Sequence, residues 1–443
     1  MRYRFVRLNP RFDRDETLGL LQSEIKQQPQ PVSWFNSKQL QLEFFAIPGE
    51  FCLNRSTSFQ SGRVYGLDVT SGAAVAALLF DIFDRDVQNE MSQQQQKQCF
   101  VDGAPIRVLD LCCAPGLKLC MMADLSPPSS IVVGVDISSQ RLSLCKNIVK
   151  KYHIDSITSA SSMPLSFDVD NKCHHITDRN CQSRVTIRLY HADGTRFGTN
   201  DSNSHNIHDG LVFDSTAALD DIQSRGKRKR TNKSARAREK RNLSELQRRD
   251  VCADANTNVI GDDLVGKCME SVSKNECQLD TERTSFTVPQ FDRVLVDAEC
   301  STDGATRHHI EKQQSSCQTL RRPVWDDGNM DELVDLQNRL IRSGFRLLKS
   351  GGILVYSTCS LSSKQNEQVV LSLLHEYHDS FIIPLSFCTC DKSNQETPFI
   401  EQGSIPGTIR FNPLLYDAKD ACDDSHDRIH PGSGFFLAKL GKR

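Results

Sequence analysis

Two cysteines stand just past apolar runs that read as buried β-strands: Cys300 in Asp297-Ala-Glu-Cys-Ser-Thr-Asp-Gly304 and Cys359 in Tyr356-Ser-Thr-Cys-Ser360. A lone thiol at a strand end is by default a small inert hydrophobe. Two of them, at the ends of strands that are neighbours in a sheet of the usual order and beside a nucleoside pocket, suit nucleophilic chemistry. Three strand ends upstream carry polar groups. Val108-Leu-Asp-Leu-Cys-Cys-Ala-Pro-Gly-Leu-Lys118 is a small-residue turn entering a helix, which lets backbone N–H groups approach an anionic or polar ligand. Its single glycine, Gly116, fits neither the dinucleotide fingerprint nor the P-loop. Asp136 ends the next strand about twenty residues on, where a carboxylate can take ribose hydroxyls. Asp193, in Ala-Asp-Gly-Thr195, suits either an adenine amino group or a turn cap. These groups describe a nucleoside pocket beside a pair of thiols.

The elements that position them alternate. Strands are predicted over 106–112, 131–136, 185–193, 291–297, 352–357, 381–387 and 434–440, and helices over 119–125, 139–152, 334–348 and 366–377. Strands that alternate with helices imply an α/β fold with a mostly parallel sheet covered on both faces. In such a sheet ligands bind beyond the carboxyl ends of the strands, where the residues above fall. Before it, Tyr3-Arg-Phe-Val-Arg-Leu8 alternates like a short strand, and 70–80 reads as a capped apolar helix.

The chain has 443 residues, enough for two domains or one large one with additions. We divide it into an N-terminal segment, 1–98, leading into a catalytic fold, 99–443. The hydrophobic share is 38%, below the ~45–50% usual for globular domains, so part of the chain is not core. Two polar stretches, 153–183 and 198–287, break the pattern and read as disordered insertions. The second holds the basic run 225–249, with twelve Lys or Arg and two Glu, in a chain of net charge −2. That run suits nuclear import or attraction to an RNA backbone, against the alternative of a solvated insertion without specific use. Seventeen cysteines and an opening without a secretory apolar core favour a reducing, intracellular compartment, in the nucleus, nucleolus or cytoplasm. The longest apolar run, 73–80, falls short of the ~20 residues that cross a bilayer, so no membrane association is expected. Cys388, Cys390, His174 and His175 lack the second ligand pair that zinc sites use, and no metal is expected. His308 and His309, just past the Cys300 motif, read as a surface loop or as facing a ligand.

The ordered set of motifs resembles the Sun/RsmB-type RNA cytosine-5 methyltransferases. It runs from Gly66-Leu-Asp-Val-Thr-Ser-Gly72 through the Cys112–Lys118 turn, Gly134-Val-Asp-Ile-Ser-Ser-Gln-Arg-Leu142, Ala192-Asp-Gly-Thr195, Val296-Asp-Ala-Glu-Cys-Ser301 and Tyr356-Ser-Thr-Cys-Ser360 to Gly434-Phe-Phe-Leu-Ala-Lys-Leu440. The resemblance implies a Rossmann-like fold with a mostly parallel seven-stranded sheet, a small N-terminal α+β segment that contacts RNA, S-adenosylmethionine as cofactor, and tRNA or rRNA as partner; it names no protein partner and no oligomeric state. It makes Cys359 the nucleophile on cytosine carbon 6 and Cys300 the group that helps expel it. Asp297 and Lys118 then act on the cytosine edge. Cys112, Cys113, Ala114, Pro115, Gly116, Leu117 and Lys118, with Asp136, Arg141, Asp193 and Asp297, hold the cofactor. Trp34 and Phe35 are candidates to stack on bases, or core.

Two positions depart from the pattern. Glu299 stands where the family usually has proline, and a carboxylate pointing at the neighbouring thiol raises its pKa. Leu117 stands where a second glycine is usual. Two other readings stay open: a methyltransferase with another acceptor, though Asp-Ala-Glu-Cys300 is not the Asn/Asp-Pro-Pro-Tyr of amine-modifying relatives, and a non-catalytic RNA-binding protein that keeps the fold.

Overall fold

A computed structural model describes residues 3–32, 35, 40–80, 104–155, 184–199, 210–218, 290–305, 329–385, 400–412 and 433–443. The chain divides into two units, 217–287 and the remainder, and the remainder holds the strands and helices of both sheets.

The N-terminal strands form a small sheet of order β2-β3-β1-β4, built from Tyr3–Leu8 (β1), Gln30–Pro31 (β2), Phe44–Pro48 (β3) and Val64–Tyr65 (β4). Helix α1 (Arg14–Ile25) starts at Asp13, whose side chain accepts from the Glu16 N–H, and it closes one face over Val6, Leu8, Leu21, Phe45 and Ile47. The short helix α2 spans Thr57–Gln60. Helix α3 (Val69–Leu79) is capped by Asp68 and buried almost throughout, packed against the main sheet, so the small module ends well before residue 98.

The main sheet has ten strands. Five are parallel, in the order β10-β9-β5-β6-β7: Leu348–Thr358, Phe291–Asp297, Arg107–Asp110, Ile131–Asp136 and Thr186–His191. Antiparallel β14 (Phe435–Lys442) joins β10 on one side, and β11 (Ser380–Ile382) and β13 (Ile409–Phe411) share its other edge. The expected seven strands correspond to these five with β14 and β11. The sequence missed three short ones: β13, β12 (Ile400–Gln402) and β8 (Leu211–Asp214). Strand β8 pairs antiparallel with β7, so the proposed insertion 198–287 contains a strand of the sheet, and most of its remainder, including 225–249, lies outside the described residues. Helices α4 (Leu117–Leu125), α5 (Ser139–Val149), α6 (Met330–Leu347) and α7 (Glu367–Glu376) follow β5, β6, β9 and β10. The apolar strands and the buried faces of α6 and α7 make one core around Val294, Val296, Phe345, Tyr356 and Phe436.

Helix α5 stops at Val149, not at Tyr152, and a wider turn carries the chain to Asp155. The reason is packing across the two sheets. Tyr152 stacks on Tyr65 at 4.0 Å and donates to the Val64 carbonyl, while buried His153 reaches the Cys120 carbonyl. His153 and Ile154 are buried, so the expected insertion at 153–183 begins later than its composition suggests.

Candidate active site

Every parallel strand delivers a polar group to the same edge. Asp110 ends β5, Asp136 ends β6, Asp193 follows β7, and Asp297 ends β9. Cys359 follows β10 directly, and the register pairs Ser357 with Asp297. The two cysteines therefore sit on adjacent strands, as expected, with Sγ atoms 3.1 Å apart. Cys300 is 6% exposed, whereas Cys359 is only partly buried.

The pair shares its protons. The first thiolate forms while its partner can still donate a hydrogen bond, which draws Cys300 below the ordinary thiol range. The second is pushed far up, chiefly by that same hydrogen bond to Cys300 and then by burial; this falls on Cys359, against which the Lys118 charge pulls down.

Asp297 is held at both oxygens. Lys118 Nζ donates to Oδ2 at 2.7 Å and Ser357 Oγ donates to Oδ1 at 2.7 Å. Lys118 reaches it from the first turn of α4, with its ammonium 5.7 Å from the centre of the Phe435 ring. Burial opposes its charge, but the carboxylates of Asp297 and Asp110 outweigh that and raise its pKa. Behind them Asp110, 1% exposed, accepts from the Cys112 N–H, and burial together with the Asp297 charge lifts its pKa to about 7.

The turn Cys112–Lys118 is shaped by Gly116, whose φ of 106° lies in the left-handed region; a Cβ there would meet Cys145 Sγ at 2.6 Å. Gly116 offers no side chain to cap α4, so the N–H groups of its first turn have no side-chain partner from the cap. Asp136, 3% exposed, accepts from the Ala114 N–H at 3.2 Å and the Ser138 N–H at 2.9 Å. Arg141 Nη2 donates to the Ala114 carbonyl at 2.8 Å. Asp136 and Arg141 thus grip the turn itself, a positioning task beyond the ribose role read from the sequence. Asp193 accepts from the N–H and hydroxyl of Thr195, and Ile137, next to Asp136, is 68% exposed. Leu117 opens α4, so the turn closes without a second glycine.

Glu299 is exposed; its carbonyl accepts from Gln337 Nε2 at 2.7 Å. A carboxylate in water is screened from the thiol behind it, so the feared rise in the Cys300 pKa has no inward-pointing charge to cause it. Sequence reasoning missed Gln365 and Gln337, both fully buried. Gln365 accepts from the Ser301 N–H and from Gln337, and donates to Ser301 Oγ, lacing the Cys300 loop to the segment after Cys359. A buried glutamine in Lys364-Gln-Asn-Glu367 carries no periodicity or spacing signal that separates it from a surface one.

Phe35 is 4% exposed and meets Phe44 edge to face at 5.3 Å, the core alternative of the two considered. Trp34, His174, His175, His308, His309, Cys388 and Cys390 lie outside the described residues. Among the described residues no helix is long and apolar enough to cross a membrane.

Residues 256–441 match the family model described as 16S rRNA methyltransferase RsmB/F. Among curated proteins the chain is similar to the ribosomal RNA small subunit methyltransferase F of Aeromonas salmonicida, 33% identical over 153 residues, and to that of Erwinia tasmaniensis, 41% identical over 153 residues. Each alignment covers 34% of this chain and 26% of the relative, so the matched part spans about a quarter of those proteins. Among solved structures, one described as that of PH0851 superposes with a TM-score of 0.53 at 17% identity, covering 100% of this chain and 60% of the other. A methyltransferase homolog protein from Pyrococcus horikoshii gives a TM-score of 0.50 at 17% identity, covering 100% and 87%. These two bear on the fold alone.

Proposed function

We propose, from the match of residues 256–441 to the RsmB/F family model and the similarity of a third of the chain to curated RsmB/F relatives, that this chain is a methyltransferase of the RsmB/F (Sun) family and transfers a methyl group from S-adenosylmethionine to carbon 5 of a cytosine in RNA. The observation that carries the mechanism is the contact of two thiols at the ends of adjacent strands, 3.1 Å apart, beside the Lys118–Asp297 pair. A pyrimidine ring is electron-poor at carbon 6, and an enzyme that methylates carbon 5 needs a nucleophile there.

The residues present suit the cofactor. The small-residue turn leaves the helix N–H groups of α4 without a side-chain cap, Asp193 supplies an acceptor, and Ile137 offers an exposed apolar face for a purine. When bound, S-adenosylmethionine supplies an electrophilic methyl on a sulfonium. Cys359 adds to carbon 6, forming the S–C bond and moving electron density to carbon 5 and nitrogen 3. Asp297, held by Lys118 and Ser357, takes the cytosine edge and steadies its protonated form. Once carbon 5 has been methylated and its proton has passed to solvent water, the C5–H electron pair reforms the ring double bond and the S–C bond breaks. Cys300, in contact with the departing sulfur, helps it leave. The base must leave its stack to present this face.

The test is to incubate the full chain with S-adenosylmethionine carrying a labelled methyl and with ribosomal and transfer RNA, then digest the RNA to nucleosides. Labelled 5-methylcytidine is expected; label on an exocyclic amine, or on protein alone, would refute the acceptor. The family descriptions name ribosomal RNA for the relatives, and we propose structured RNA of that kind as the substrate here. We further propose that 225–249 serves nuclear import. Deleting it should abolish nuclear accumulation of a fluorescent fusion, and unchanged accumulation would sink that idea.

A further inference from the structure

Contact between two thiols has a consequence besides methyl transfer. Cys300 Sγ and Cys359 Sγ are 3.1 Å apart, one behind the other, with Cys359 the partly exposed member. The pairing of β9 with β10 continues to Ser357 and Asp297, two residues before Cys359 and three before Cys300.

Their loops are stitched to each other. The Gly304 N–H donates to the Cys359 carbonyl at 3.0 Å, Ser301 Oγ donates to Ser360 Oγ at 3.0 Å, and Gln365 bonds both the N–H and the hydroxyl of Ser301. A Cβ on Gly304 would meet the carbonyl oxygens of Gly434 at 2.8 Å and Cys359 at 2.9 Å, so backbone packs on backbone here. The sulfurs are thus held in contact by the frame, and closing a bond between them asks for little movement.

We propose that Cys300 and Cys359 form a hydroperoxide-sensitive thiol pair that closes to an intramolecular disulfide and reversibly switches the site off. The pairing itself rests on geometry, and only its effect on activity rests on the function proposed above. Cys359 passes its proton to the Cys300 thiolate it touches and attacks one oxygen of the hydroperoxide, so that an S–O bond forms, the O–O bond breaks, and the departing oxygen takes a proton and leaves as water or an alcohol. Cys300 then attacks the sulfenic sulfur. The S–S bond forms, the S–O bond breaks, and the hydroxide leaves as water with the thiol proton of Cys300. Two thiols lose two electrons and the peroxide gains them. The nucleophile is then tied up, and a dithiol returns both thiols by exchange. Capture by Cys300 also spares Cys359 from sulfinic acid, which a dithiol does not reverse.

A second pair provides the comparison within the same molecule. The thiols of Cys113 and Cys145 also hydrogen-bond, but both are buried, so that pair lacks a partly exposed member such as Cys359.

The experiment exposes the full chain to hydrogen peroxide, alkylates the remaining thiols, and maps peptides by mass spectrometry without reductant. Methyl transfer is measured alongside, before and after dithiothreitol. A Cys300–Cys359 linked peptide should appear in step with near-complete loss of activity, and dithiothreitol should reverse both. In Cys300→Ser protein the same treatment should leave Cys359 as sulfinic or sulfonic acid that dithiothreitol does not rescue. Wild-type protein whose Cys359 turns sulfinic while Cys300 stays free to alkylate, or whose first link joins other cysteines, overturns the proposal. If the chain transfers no methyl group to any RNA, the linked peptide still decides the question, so the two failures are told apart.

Discussion

Cys300→Ala protein should accumulate in cells as a covalent adduct with RNA, and Cys359→Ala protein should form none. On the proposed mechanism the base is met by Cys359, the partly exposed residue of the pair, with the Sγ of buried Cys300 3.1 Å away. On that mechanism, removing Cys359 takes away the nucleophile, so turnover should fall by on the order of 10⁴-fold or more, to what binding and electrostatics alone supply. Removing Cys300 leaves addition and methylation intact and slows departure of the sulfur, so the intermediate is trapped. The double variant should behave as Cys359→Ala, because a residue needed only for release is silent when nothing has been attached. Denaturing gels with sequencing of the bound RNA read both results and identify the substrate. Adducts with Cys359→Ala but not Cys300→Ala would exchange the two roles. No adduct in any variant, with no methyl transfer by wild type, would return the chain to the non-catalytic reading.

The second large effect is on stability. Asp124→Asn should lower the melting temperature by on the order of 10 °C, from a loss of about 3–5 kcal/mol. Asp124 closes α4 and is fully buried with Arg7; Arg11 binds its other oxygen, and the Tyr65 hydroxyl donates to it at 2.8 Å. Two further nitrogens of Arg7, Nε and Nη2, are buried without a hydrogen-bond partner among the described residues. Neutralising Asp124 therefore leaves buried guanidinium charge uncompensated, which is far worse than deleting both partners of a pair. The exposed pair Arg339–Asp335 is the contrast: its loss should register about 0.5 kcal/mol or less.

The same cluster sets an acid limit. Burial alone would raise the Asp124 pKa, but Arg11 and Arg7 outweigh it and hold it well below the carboxylate range. Its contribution is thus present above pH ~4 and disappears as the pH falls below that value. Burial, then the Arg11 charge, lowers the His153 pKa to about 3. The unfolded chain binds that proton near pH ~6.5 and the folded chain does not, so stability should already decline as pH drops below ~6.5. His153→Gln should flatten the profile between about pH 4 and 6.5, and an unchanged slope would remove His153 from this account.

Helix α4 links the two effects, since it carries Lys118 in its first turn and Asp124 in its last. The small N-terminal sheet, through Arg7, Arg11 and Tyr65, anchors the far end of the helix that delivers Lys118 to Asp297.

The sequence by itself determined the alternation of strands and helices, the strand ends that carry Asp136, Asp193, Asp297 and the two cysteines, and the turn built around Gly116; that the first strand ends at Asp110 came from the structure. These are local properties: apolar runs, caps and a glycine in the left-handed region declare themselves within a few residues. Partners far apart in the chain were decided only by the tertiary structure. The sulfurs meet across 59 positions, Lys118 meets Asp297 across 179, and Arg7 meets Asp124 across 117. The sequence placed both cysteines at strand ends, but their contact depends on β9 and β10 pairing in one register. It offered Asp136 for a ribose, while the fold also ties that carboxylate to the Ala114 N–H. It left Gln365 and His153 unremarked, because a polar side chain takes its role from what closes around it. Hydrophobic pattern fixes which element forms, and only the packing of those elements decides which buried polar groups must satisfy one another.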